Sequence, residues 1–111
     1  MVIALGDIYA QIQRRDEVRE LMRATQERMR EEPGCAYYAF AETLDDPGHF
    51  VVVQEWSDQA ALDDHYRSRA FADYQAQIAQ LLVRSSDLRV HAVQTSARPV
   101  DSAAIDISQD E

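Results

Sequence analysis

Apolar and polar positions divide the chain into strand-like and helix-like stretches. The strand-like stretches cover residues 2–10, 35–43, 50–56 and 88–95, and they are rich in β-branched and aromatic residues. The turn Asp45–Gly48 joins the second stretch to the third, which predicts a β-hairpin. Residues 50–53 are apolar at every position, so we predict that both faces of this strand are covered.

The first helix-like stretch is predicted to begin with Asp16 as its N-cap and to end at about Glu32, where a Pro-Gly pair follows. Its apolar stripe comprises Val18, Leu21, Met22, Thr25 and Met29. These residues recur at helical spacing, which predicts that one face of the helix is buried.

The second helical region is predicted in two pieces. Ser57 or Asp58 caps a helix that reaches about Tyr66, and Ser68 caps its continuation. The apolar stripe of the continuation comprises Phe71, Tyr74, Ile78, Leu81 and Leu82.

The order β-α-β-β-α-β predicts an α+β fold of the ferredoxin-like kind. Two split βαβ units with right-handed crossovers give a four-stranded antiparallel sheet with the helices on one face. The other face then carries apolar residues that nothing in the same chain covers. We expect a second copy of the sheet to cover them, which predicts a homodimer; the alternative is a monomer with a half-exposed sheet face.

The length of 111 residues suits one domain. We predict a folded domain over residues 1–96 and an acidic tail over residues 97–111, and we expect the part beyond about Pro99 to be dispensable for folding. The alternative is that this tail clasps the partner subunit. The N-terminal residues resemble neither a signal peptide nor a membrane span, so a cytoplasmic protein is expected.

Composition excludes several classes of function. The net charge of −9 argues against nucleic acid and anionic membranes as partners, because both require a basic surface. The chain has no lysine, which excludes Schiff-base chemistry. Its single cysteine, Cys35, excludes an intrachain disulfide.

Several short motifs together resemble the antibiotic biosynthesis monooxygenase (ABM) family. They are EEPGCAYYAF at residues 31–40, DDPGHF at 45–50, EWSDQAAL at 55–62, His65, and SRAF at 68–71. The resemblance implies a dimeric α+β barrel with a pocket between sheet and helices in each subunit. The family includes quinol and polyketide monooxygenases, heme-degrading enzymes and isomerase-like members, so the resemblance predicts the fold more sharply than the reaction.

No cofactor or metal is predicted. The chain lacks the glycine-rich phosphate-binding motifs and the H-x-x-x-H metal motif, and its three histidines are scattered over a turn, a helix and a strand. The heme-degrading branch of the family uses an Asn on the first strand and an axial His in the second helical region. Here there is no Asn, and Tyr74 stands at the position of that His. These departures from the pattern of the heme-degrading branch argue against heme degradation.

Two residues are candidates for acid–base catalysis. His65 lies on the buried side of its helix and could accept a phenolic proton near neutral pH. Glu55 lies at a strand end and points to the face opposite its neighbour Trp56. The alternatives are a hydrogen-bonded core histidine for the first, and for the second an ion pair across the dimer with an arginine.

Aromatic side chains and a further histidine are candidates for substrate binding. They are Trp56, Tyr38, Phe71, Tyr74 and His91. Aromatic rings can form the walls of a pocket for an aromatic ligand, and tyrosine hydroxyls can orient a phenol. Ordinary core packing is the alternative for each ring.

The predicted function is a cofactor-independent monooxygenase or quinol oxidase that acts with O₂ on a small aromatic substrate. An electron-rich phenol or hydroquinone can pass an electron to O₂ once it is deprotonated, so the protein needs a base and a dry pocket. The alternatives are a non-catalytic ligand-binding or stress-associated dimer and an isomerase on the same scaffold.

Overall fold

The computed structural model of the protein describes residues 1–98, and the predictions for the tail from Pro99 onward lie outside them. The strands are β1 (Val2–Tyr9), β2 (Cys35–Glu42), β3 (His49–Trp56) and β4 (Asp87–Ala92). The helices are α1 (Arg15–Met29), α2 (Gln59–Tyr66) and α3 (Arg69–Ile78), with short 3-10 turns at Ile12–Arg14 and Ala79–Leu81.

The four strands form one antiparallel sheet in the order β2-β3-β1-β4. The central strand β1 pairs along its length with β3 and along most of it with β4. This is the ferredoxin-like arrangement, and it confirms the predicted fold class. Helix α1 packs against β2 and α3, and α2 packs against β3.

The caps of the second helical region are confirmed. The side chain of Asp58 accepts a hydrogen bond from the backbone N–H of Ala61 and caps α2. The hydroxyl of Ser68 accepts one from the N–H of Phe71 and caps α3. Each cap satisfies a backbone donor that the first turn of a helix leaves free.

The predicted N-cap of the first helix is wrong. Helix α1 begins two residues earlier than predicted, at Arg15 after the 3-10 turn, and its N-cap position is Arg14 without a side-chain cap. Asp16 lies inside the first turn and forms an ion pair with Arg19. Its negative charge still complements the helix dipole there.

Several predicted element boundaries also shift. Helix α1 ends at Met29 rather than near Glu32, and β4 runs over Asp87–Ala92 rather than 88–95. Strand β3 begins one residue early, at His49.

The turn after α1 approaches α2 closely because Gly34 has no side chain. Its φ is +84°, in the left-handed region that favours glycine, and a Cβ there would lie 2.5 Å from the Cβ of Ala61. The carbonyl of Gly34 accepts a hydrogen bond of 2.8 Å from the N–H of Ser57. This turn therefore brings the residues just before it to the side of α2.

Side chains of the two central strands alternate between the faces of the sheet. On β3 the even-numbered residues are buried against the helices, and the odd-numbered ones are only partly buried. The core lies between the sheet and the helices and includes Trp56, Tyr38, Leu62, Val18 and Met29, all at most 2% exposed.

The outer face of the sheet, which points away from the helices, carries an apolar patch beside the polar residues Asp7, His49, Glu55 and His91. Ile3, Leu5, Val51 and Val53 are partly buried on it, and Tyr37 is 51% exposed. Nothing in residues 1–98 packs over this face as the helices pack over the other.

We expect this outer face to join two copies of the chain. Light scattering at micromolar concentration should give twice the chain mass of 12.7 kDa. Val53→Arg should lower the mass toward that of the monomer, because the new charge would be buried in the interface. Ala24→Arg, on the exposed side of α1, is the matched control and should leave the dimer intact. A monomer mass for the wild-type protein would contradict the prediction.

No helix in residues 1–98 is both long enough and apolar enough to cross a membrane.

Candidate functional site

A cavity of about 400 Å³ lies between the helix side of the sheet and α3. Its walls are mostly aromatic and aliphatic, with Tyr38, Phe40, Val52, Tyr66, Phe71, Tyr74, Ile78 and Leu82 among the lining residues. The exposed residues Ser85, Ser86 and Asp87 line it on the solvent side. A concave, mostly apolar space with a few polar groups is typical of a site for a small organic ligand.

His65 lies at the inner end of this aromatic wall and is only 1% exposed. The indole of Trp56 stacks on its imidazole with ring centroids 4.7 Å apart. The rings of Tyr38, Tyr66 and Phe71 surround it at centroid distances of 5.5, 5.4 and 5.1 Å. Burial lowers the pKa of His65, while the hydrogen bond to Glu32 opposes this shift.

Glu32 is the polar partner of His65, and the sequence analysis did not single it out. Its Oε1 lies 2.9 Å from Nδ1 of His65, and the hydroxyl of Ser68 donates to Oε2 at 3.3 Å. The Gly34 turn brings this carboxylate to α2 from 33 residues away in sequence. The Pro-Gly pair after Glu32 indicates a chain reversal, but it does not indicate which helix the carboxylate meets.

His65 and Trp56 do not line the cavity themselves. Tyr38, Tyr66 and Phe71 line it, and the same three rings contact His65 from the other side. The imidazole is therefore separated from the cavity by a single layer of aromatic side chains.

Trp56 supports this layer from behind. Its Nε1–H donates a hydrogen bond of 2.9 Å to the side-chain oxygen of Gln54, and this bond is buried. The Trp56 ring also meets Tyr38 edge to face. This arrangement fits a structural wall better than direct contact with a ligand.

Two buried side-chain polar atoms in residues 1–98 have no hydrogen-bond partner, Nε2 of His65 and the hydroxyl of Tyr66. Leaving a buried polar atom unpaired costs roughly 1–3 kcal/mol, so each such atom in a folded protein calls for an explanation, of which a role in binding or catalysis is one. Tyr66 is part of the aromatic layer, and His65 lies directly behind this layer.

Tyr38 and Tyr74 present neutral phenols to the cavity. Burial raises the pKa of each hydroxyl well above its ordinary value. At neutral pH both therefore remain hydrogen-bond donors, which suits the binding of a phenolic or phenolate oxygen.

Glu55 and His91 lie on the outer face of the sheet. Both pair with Ile3 of β1, Glu55 from β3 and His91 from β4, and Ile3 is an outward-facing residue. The structure thus brings His65, Trp56, Tyr38, Phe71 and Tyr74 together and places Glu55 and His91 on the opposite side of the sheet. Any role for these two would lie at the surface where we expect the partner subunit.

Comparison with known proteins identifies the family. The family described as "Antibiotic biosynthesis monooxygenase" matches residues 1–77. The chain belongs to this family. The resemblance inferred from the short motifs is confirmed.

Similar sequences and solved structures are consistent with membership of this family. The chain is 31% identical over 101 residues to "Putative monooxygenase Rv0793" of Mycobacterium tuberculosis, covering 87% of this chain and 93% of that protein. The solved structure of Rv0793 superposes with a TM-score of 0.79 at 29% identity over 87% of this chain and 98% of that one. An ABM-family structure from Deinococcus radiodurans gives a TM-score of 0.85 at 23% identity, covering 91% of this chain and 100% of that one, which shows the common fold.

A further relative is longer than this chain. An uncharacterized protein of Synechocystis is 25% identical over 92 residues. The match covers 83% of this chain and 63% of the Synechocystis protein, so the chain spans less than two thirds of that relative's length.

We expect this ABM-family protein to bind hemin poorly. The resemblance to the heme-degrading branch puts Tyr74 at the position expected for its axial histidine, and the buried neutral hydroxyl is a weak ligand because iron binds tyrosine as the phenolate. Titration with hemin should give no stoichiometric Soret shift, with a globin apoprotein as the positive control. A one-to-one Soret shift, followed by loss of heme under a reductant, would contradict this prediction.

Proposed function

We propose that the protein is a cofactor-independent monooxygenase that oxidises a small phenol or hydroquinone with O₂. One observation carries this proposal. A buried histidine, His65, whose Nε2 has no hydrogen-bond partner in residues 1–98, lies one aromatic layer from a cavity of about 400 Å³. Family membership and the monooxygenase name of the M. tuberculosis relative support the reaction class.

The substrate supplies all the electrons in this reaction. A hydroquinone that reacts with one O₂ can give a hydroxyquinone and one water, so that one oxygen atom enters the ring and the other leaves as water. The hydroquinone loses a proton before it reduces O₂. His65 accepts this proton at Nε2, because a neutral imidazole with a free ring nitrogen can act as a general base near neutral pH.

The cavity can orient the substrate and keep water away from it. The hydroxyls of Tyr38 and Tyr74 are donors that can hold a phenolate oxygen, and the apolar rings exclude water. Because one aromatic layer separates the cavity from His65, the proton transfer requires that a ring of this layer turns aside. Phe71 and Tyr66 are the candidates, since both are partly buried whereas Tyr38 is only 2% exposed.

Oxygen uptake with a panel of phenols and hydroquinones of one to three rings tests this proposal. We expect uptake above the rate of autoxidation with at least one member, and no loss of activity after treatment with a metal chelator. Heat-denatured protein serves as the control. No uptake with any member, or activity that a chelator abolishes, would contradict the proposal.

A non-catalytic ligand-binding protein is the second candidate. The observation in its favour is that neither His65 nor Trp56 lines the cavity. In that case an aromatic ligand should quench or shift the emission of the single tryptophan in a saturable manner, without oxygen uptake. The two experiments together distinguish a binding protein from an oxygenase.

A further inference from the structure

We propose that Glu32 is a positioning residue that holds the His65 imidazole with its proton on Nδ1, so that Nε2 is left as the proton acceptor. The catalytic consequence of this arrangement rests on the proposed function. The arrangement itself is a property of the folded protein and can be measured without a substrate.

The hydrogen bonds around Glu32 determine where the proton lies. An ionised carboxylate can only accept hydrogen bonds, so the 2.9 Å contact between Oε1 and Nδ1 requires the proton on Nδ1. The hydroxyl of Ser68 lies 3.3 Å from Oε2 and 2.7 Å from the carbonyl of His65, and it can donate to either. Oε1 of Glu32 is thus held by the imidazole, and Oε2 lies within hydrogen-bond distance of the Ser68 hydroxyl.

Nε2 is the nitrogen that this arrangement leaves unprotonated. It is buried and has no hydrogen-bond partner in residues 1–98. The stacked ring of Trp56, inclined by 29° to the imidazole, restricts the plane of the histidine. The carboxylate therefore determines the tautomer, and the indole restricts the orientation of the ring.

The charged and titratable neighbours of His65 are few. The rings that surround it from β2 and α2 include the phenols of Tyr38 and Tyr66, which stay neutral because burial raises the pKa of each. Glu32 is the charged group that acts on the imidazole, and it raises the pKa of His65 against the effect of burial. Removing its charge should therefore lower that pKa further and move the acid limb of the rate profile to lower pH.

A purely structural role for Glu32 makes different predictions. The carboxylate also ties the turn after α1 to the α2–α3 junction, so its loss could lower thermal stability alone. In that case the His65 tautomer and the pH profile would stay as in the wild-type protein. These two measurements, and not the melting temperature, separate a positioning role from a structural one.

The first experiment is ¹⁵N NMR of the histidine side chains in the full chain. The chain has three histidines, and the signals lost in His65→Gln identify those of His65. We expect a protonated Nδ1 and an unprotonated Nε2 in the wild-type protein. Glu32→Ala should change this pattern, whereas Glu31→Gln, at the exposed neighbouring position, should not. A protonated Nε2 in the wild-type protein, or an unchanged tautomer in Glu32→Ala, would overturn the proposal.

The second experiment measures kinetics. Glu32→Gln keeps the shape of the side chain and removes its charge. We expect kcat to fall about 10-fold, with KM nearly unchanged because Glu32 does not line the cavity, and the acid limb to move to lower pH. Glu32→Asp, which keeps the charge, should recover part of the rate. An unshifted pH profile in Glu32→Gln would overturn the positioning role. If no substrate is found at all, the proposed function fails, and the NMR result still decides the tautomer.

Discussion

His65→Ala is expected to lower turnover about 10²-fold, the lower end of the range for losing a general base. Among residues 1–98, the imidazole is the one group near the cavity that can accept a phenolic proton near neutral pH and has a nitrogen without a hydrogen-bond partner. Oxygen uptake with an accepted hydroquinone measures the effect. His65→Gln fills the space of the ring without providing a base, so it should be similarly impaired, and this separates chemistry from packing.

Two comparisons make this result interpretable. His49→Gln changes a histidine that contacts Asp7 on the outer face, and it should leave turnover near the wild-type value. Glu55→Gln should cost less in rate than His65→Ala because Glu55 lies across the sheet from the cavity. Unchanged turnover in His65→Ala would remove His65 from the mechanism.

The pH dependence of the wild-type protein follows from the same histidine. Burial lowers the pKa of His65 below the ordinary value of about 6.5. At about pH 6.5 most of the imidazole is therefore neutral, and the turnover rate should still be high at this pH. Below about pH 6.5, His65 binds a proton more readily in the unfolded chain than in the folded protein. The contribution of this residue to stability is therefore complete above pH 6.5 and decreases as the pH falls below it.

Trp56→Ala is expected to reduce the free energy of unfolding by about 3–5 kcal/mol, the usual cost of truncating a fully buried large aromatic side chain. Trp56 is 0% exposed and contacts both Tyr38 and His65. The mutation removes these contacts and leaves the side chain of Gln54 without its buried hydrogen bond. Urea denaturation followed by far-UV circular dichroism measures the loss.

Trp56→Phe is the matched control for this prediction. It keeps an aromatic ring in the core but removes the indole N–H, so we expect a smaller loss, about 1–3 kcal/mol. A loss below about 1 kcal/mol in Trp56→Ala would mean that this part of the core is much less tightly packed than the structure shows.

Local signals explain which parts of the fold were predictable from sequence. The caps Asp58 and Ser68 act within three residues of their partners, so sequence alone predicts Ser68 and narrows the other cap to Ser57 or Asp58, of which the structure has Asp58. The order of strands and helices follows from apolar periodicity, which is also local. The prediction that Asp16 is the N-cap was wrong because a 3-10 turn leads directly into α1. The helix therefore begins before Asp16, although aspartate is a common N-cap residue.

The site was less predictable because it depends on contacts between distant residues. Periodicity placed His65 on a buried helix face, but it could not show that an aromatic layer separates this residue from the cavity. The alternation of β3 already implied that Glu55 and Trp56 face opposite sides. Glu55 could therefore share a site with His65 only if Trp56 faced away from the helices. Glu32 was missed because its partner lies 33 residues along the chain.

The alternation of β3 also bears on how such a protein can diversify. Val52 and Gln54 line the cavity, whereas Val51 and Val53 face the surface where we expect a second copy. A substitution at Val52 or Gln54 can thus alter which ligand the cavity binds. A substitution at Val51 or Val53 can alter which chain packs against the outer face. Ligand preference and subunit partnership can therefore evolve separately within a single strand of eight residues.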